Sequence, residues 1–99
     1  MTKGELAAKL DQRKGWLDGK RVKIDFGTEG VVLLDGVAQR VTEEDGPSDT
    51  TIGVSWADLQ ALERRELDPM SALMQGRLRV EGDMSNAMQL QSVISKLRG

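Results

Sequence analysis

The chain has 99 residues, 14 of them basic and 16 acidic, for a net charge of -2, with 38% hydrophobic and only 3% aromatic residues. That length suits one domain with a single core built from Leu, Val, Ile, Met and Ala rather than from rings, and the charge gives no electrostatic footprint for nucleic acid. The absence of Cys, His and Tyr removes disulfides, zinc sites with nitrogen or sulfur ligands, thiol nucleophiles and the usual proton shuttle near neutral pH.

Thr2 followed by Glu5 has the spacing of a capping box, and Leu6, Ala7, Leu10 and Leu17 recur as a helical stripe, which predicts a first helix running to about Trp16. Asp18-Gly19 marks a turn, after which Val22, Ile24 and Phe26 alternate with Lys23 and Asp25 as in a strand with one wet face. Gly27-Thr28-Glu29-Gly30 turns the chain. The unbroken apolar run 31–34 suits a central strand, and Asp35-Gly36 predicts a tight hairpin into a third strand over 37–42.

The acidic segment 43–49, with Gly46 and Pro47, reads as a surface loop; its carboxylates lack the alternation and closing Glu of a calcium loop. Residues 50–55 alternate again through Ile52 and Val54. Ser55 and Asp58 then begin a helix whose Trp56, Leu59 and Leu62 share a face and whose end carries Arg64 and Arg65.

The stretch 69–90 holds four of the five methionines. Asp68-Pro69 starts a short helix with Met70, Leu73 and Met74 at helical spacing, ended by Gly76. Leu78 and Val80 alternate with Arg77, Arg79 and Glu81 in a strand over 77–81. Gly82-Asp83 opens a last helix with Met84, Ala87 and Met88 in its first turns and Ala87, Leu90, Ile94 and Leu97 as its inward stripe. Lys23, Asp25, Arg77 and Arg79 are expected on the solvated side of the sheet.

Phosphate cradles, nucleophile elbows and metal spacings are missing from the chain, and Ser95-Lys96-Leu97 is not a C-terminal address because Arg98-Gly99 follow it. No enzyme activity and no cofactor are expected. The first fifteen residues lack the apolar run of a signal peptide, and no stretch approaches a membrane span, which gives a cytoplasmic expectation.

Three runs carry a resemblance. Ser55-Trp56-Ala57-Asp58-Leu59, then the continuous stretch from Leu67-Asp68-Pro69-Met70 through Gln75-Gly76-Arg77-Leu78-Arg79-Val80-Glu81-Gly82-Asp83, and finally Ala87-Met88-Gln89-Leu90-Gln91 resemble the C-terminal half of the sterol carrier protein type 2 domain. Over residues 1–49 the likeness is one of layout. The resemblance implies an α+β domain spanning 1–99, with a roughly five-stranded, mostly antiparallel sheet and helices on one face enclosing an apolar cavity. It further implies non-enzymatic carriage of a fatty acid, fatty acyl-CoA, sterol-like or other lipid, with transient membrane contact. Met70, Leu73, Met74 and Gln75 match the family's tunnel-side helix, Leu78 and Val80 its last strand, and Met84, Met88 and Leu90 its closing helix; Leu62 of the preceding helix completes the candidate lining. The chain departs from the family in having Leu73 and Met74 where aromatic residues are common, and in a shorter turn between the first two strands. The alternative is an accessory interaction module that keeps the fold with a filled cavity and acts on a partner protein.

Overall fold

The computed structural model describes residues 2–89 and 92–93. Where the apolar residues of the sequence alternate, strands form: β1 (Arg21–Asp25), β2 (Val31–Asp35), β3 (Arg40–Thr42), β4 (Thr50–Val54) and β5 (Leu78–Gly82). They pair in the order β3-β2-β1-β4-β5. Among the described residues only β1 and β4 run parallel, Ile24 opposite Ile52; the β1–β2, β2–β3 and β4–β5 pairs are antiparallel. The sheet is therefore mixed and mostly antiparallel, as expected.

Register puts one residue set on each face. Val22, Ile24, Val32, Leu34, Val41, Ile52, Val54 and Leu78 line up across the strands and are buried. Helices α1 (Lys3–Gln12), α2 (Trp56–Glu63), α3 (Pro69–Met74) and α4 (Met84–Met88) complete the fold. Leu6, Ala7 and Leu10 of α1, Leu59 and Leu62 of α2, and Ala72 of α3 join the same core. An amphipathic helix has to bury its stripe somewhere, and one sheet face gives all of them a common partner. Phe26 and Trp56 meet edge to face, with ring centroids 5.3 Å apart.

Three boundaries shift from the sequence expectation, each for a local reason. Helix α1 stops at Gln12 instead of reaching Trp16. Lys14 takes a left-handed conformation, φ 55, and the Gly15 N–H returns to the Leu10 carbonyl at 2.7 Å, a helix-ending arrangement. Trp16 and Leu17 still pack on the core, from the loop.

The third strand begins at Arg40, not residue 37. Asp35 accepts hydrogen bonds from the N–H groups of Val37 and Ala38, both at 2.9 Å, and Gln39 turns left-handed, φ 59. An Asp at a strand end that captures the two amides ahead of it competes with the ladder and extends the turn. Gly36 is buried there, and the position requires glycine because a Cβ would collide with the backbone carbonyls of Leu17 and Lys20.

The last strand runs one residue later than expected, Leu78–Gly82. Gly82 ends it at φ 96, where a Cβ would strike the Asp49 carbonyl, so this close backbone approach requires glycine. Leu90, Ile94 and Leu97 lie outside the described residues.

Candidate functional site

Both methionine-bearing helices are short and tightly capped. In α3 the Asp68 carboxylate accepts from the Ser71 N–H at 3.0 Å, and Pro69 occupies the first turn. In α4 the Asp83 carboxylate accepts from the N–H of Ser85 at 2.9 Å and from its hydroxyl at 2.7 Å. These Ser85 contacts, the side chain's first, hold the Asp83 carboxyl below its ordinary pKa.

The two helices use the same phase. Ala72 is fully buried and fixes which side of α3 faces the sheet. Met70 and Met74 stand two residues before and after it, about 200° around the helix, and so point outward. Asn86 plays the same part in α4, being 2% exposed, with Met84 and Met88 two residues away on either side. The result is four solvent-facing methionines: Met70 61%, Met74 81%, Met84 49% and Met88 72% exposed.

Both helices pack on the edge strand β5, with α4 also touching β4. They reach it from opposite ends. The Ala72 carbonyl accepts from the Arg77 N–H at 2.9 Å at the start of β5, and α4 follows directly after Gly82. Between them Val80, paired with the fully buried Ile52, is only half-buried, whereas Leu78 is buried.

The candidate lining residues therefore separate into layers. Leu62 and Leu78 are buried at the base, Leu73 and Val80 are half-buried, and Met70, Met74, Met84, Met88 and Gln75 are exposed; Leu90 lies outside the described residues. The methionines form an exposed apolar rim rather than the inner wall that the family resemblance implied for them. The physical reason is that Ala72 and Asn86, not the methionines, take the inward positions.

Sequence reasoning missed Asn86. Its amide donates to the Thr50 hydroxyl at 3.1 Å, and that hydroxyl donates to the Asp83 carbonyl at 2.8 Å. This buried chain of hydrogen bonds, tying α4 to β4, accounts for a polar residue in an apolar helix position. A mid-helix Asn two residues from a methionine on either side was the available signal.

The other face of the sheet is polar. Asp25, Gly53 and Arg79 stand in one cross-strand row and, with Gly27, Thr51 and Glu81, line a cleft of about 220 Å³. Lys23 pairs with Asp45 at 2.6 Å and Arg21 with Asp35 at 3.4 Å. Lys23, Asp25 and Arg79 thus occupy the solvated face as expected. Arg77 departs from it and pairs with Asp58 at the start of α2 at 2.6 Å. That contact, foremost as a hydrogen bond, lowers the Asp58 pKa and raises that of Arg77. Among the described residues no helix is long and apolar enough to cross a membrane.

Comparison with known proteins agrees with this architecture. Stomatin-like protein 1 of Homo sapiens is 46% identical over 81 residues, covering 78% of this chain and 20% of that protein. Sterol carrier protein 2 of Rattus norvegicus is 36% identical over 70 residues, covering 68% of this chain and 13% of that protein. The chain thus spans about a fifth or less of the length of these relatives. Among solved structures, the solution structure of sterol carrier protein-2 from Aedes aegypti in complex with the C16 fatty acid palmitate superposes with a TM-score of 0.72 at 19% identity, covering 93% of each chain. Residues 4–95 match the model of the SCP-2 sterol transfer family, and the chain belongs to that family.

Proposed function

We propose that this single domain, residues 1–99, binds a lipid and carries it between apolar environments without changing it chemically. The observation that carries the reading is the pair of capped helices bearing four exposed methionines on either side of the half-buried Val80. An apolar surface of this kind marks an interaction site, and methionine's flexible, polarizable side chain adapts to ligands of varied shape. The palmitate complex of the Aedes aegypti relative supports a fatty acid or another long-chain lipid, fatty acyl-CoA and sterol-like molecules included.

Magnitudes favour a long chain. Burial contributes about 0.8 kcal/mol per methylene, so about ten methylenes give roughly 8 kcal/mol gross and about fifteen give roughly 12. Association costs at least about 4 kcal/mol, which leaves the longer chain near the roughly 8 kcal/mol of micromolar binding and the shorter one in the millimolar range. Release needs an equally apolar acceptor, so the carrier touches membranes transiently and works from the cytoplasm. Leu62, Leu73, Leu78 and Val80 make the deeper lining in this reading, Met70, Met74, Met84 and Met88 its mouth, and Gln75 its polar margin.

Native mass spectrometry of the protein purified from cells tests this. A co-purified lipid adduct, displaced by added fatty acid, is the expected result. A bare mass together with no displacement of a fluorescent fatty acid would leave the accessory-module reading in its place.

A further inference from the structure

The chain contains no cysteine, so all of its sulfur is thioether sulfur, and four of its five methionines stand at the rim described above, 49% to 81% exposed. Among the described residues the buried core contains Leu, Val, Ile, Ala and Phe, and no methionine. Oxidants therefore meet these four sulfurs at the rim, outside the described core.

We propose that Met70, Met74, Met84 and Met88 form an oxidation site through which peroxides switch off lipid uptake, an inference that rests on the carrier reading. In the step, a lone pair of the thioether sulfur attacks one oxygen of hydrogen peroxide. An S–O bond forms as the O–O bond breaks, the sulfur loses two electrons, and the departing hydroxide takes the remaining proton from the new S–OH group to leave as water. The product, methionine sulfoxide, is polar where the thioether was apolar. The change falls on two pairs spaced four residues apart on α3 and α4, so each helix loses both methionine thioethers of its outward face. Because Ala72 and Asn86 hold these helices inward, the sulfoxides need no room inside the protein and the fold persists.

The experiment treats the purified protein with hydrogen peroxide, locates the added oxygen by peptide mass spectrometry, and titrates cis-parinaric acid before treatment, after it, and after repair by methionine sulfoxide reductases of both epimer specificities. The expected result is oxygen on all four residues, an unchanged circular dichroism spectrum, cis-parinaric acid binding weakened about tenfold or more, and recovery on repair. Binding unchanged by oxidation, or a loss that repair does not reverse, would overturn this proposal alone. A protein that binds no cis-parinaric acid before treatment would overturn the carrier reading and this proposal with it.

Discussion

The amide of Asn86 donates to the Thr50 hydroxyl at 3.1 Å, and both residues are buried, at 2% and 1% exposure. This contact holds the helix carrying Met84 and Met88 against the start of β4. Replacing Thr50 by Val removes the acceptor and strands a buried amide, at a cost of about 1–3 kcal/mol. The urea midpoint should fall with little change in slope, and the double variant T50V/N86L should lose less than the sum of the two singles, because removing both polar partners leaves neither unsatisfied.

Gly36 supplies a second test. A Cβ there meets the Leu17 and Lys20 carbonyls, whereas at Gly46 it meets only a Leu33 methyl at 3.8 Å. Gly36→Ala should cost about 1–3 kcal/mol through backbone displacement. Gly46→Ala should stay within about 0.5 kcal/mol of the parent, an ordinary surface effect. Thermal unfolding of the two variants side by side checks the difference.

Acid stability follows from Asp35 and Asp58. The Ala38 N–H, then the Val37 N–H and Arg21, hold the Asp35 carboxyl below its ordinary pKa; the Arg77 guanidinium does the same for Asp58. A carboxyl whose folded pKa is depressed leaves the unfolded chain binding more protons, so its stabilisation is present above the unfolded value of about 3.9 and is lost as pH falls through the folded value. Urea midpoints should therefore drop for the parent on going from about pH 5 to about pH 2, and the drop should be shallower in Asp35→Asn. Equal slopes for both proteins would remove Asp35 from the account.

How much of this was legible in the sequence depends on what sets each feature. Strand faces follow from a period of two, so Val22, Ile24, Ile52 and Val54 declared their burial. The caps at Thr2, Ser55, Asp68 and Asp83 are local hydrogen bonds, equally visible in residue order. The phase of the short helices was not. Met70, Leu73 and Met74 do share a face, but whether that face is inward is decided by the contact of Ala72 with the sheet, and six residues are too few for a stripe to settle it. The turn after Asp35 escaped for a related reason: an Asp-Gly pair suits a two-residue hairpin, yet the Asp35 carboxylate captured the following amides and lengthened the turn.

The exposure of Met74 separates binding from folding. Met74→Arg should leave stability within about 0.5 kcal/mol of the parent, since its side chain sits in water, while weakening fatty acid binding. Leu78→Arg should instead unfold the protein, because it buries an unpaired charge on the core side of β5. Chemical denaturation with parallel probe titration reads both effects.

The most direct measurement of the lipid site uses a spin-labelled fatty acid and the methyl signals of protein carrying carbon-13 at its methionine methyl groups. If the methionine helices frame the mouth of the site, the signals of Met70, Met74, Met84 and Met88 broaden as the spin label is added, and the amides of Lys23 and Thr51 on the polar face do not. Broadening confined to the polar face, or none at any of the four methionines, would contradict the account.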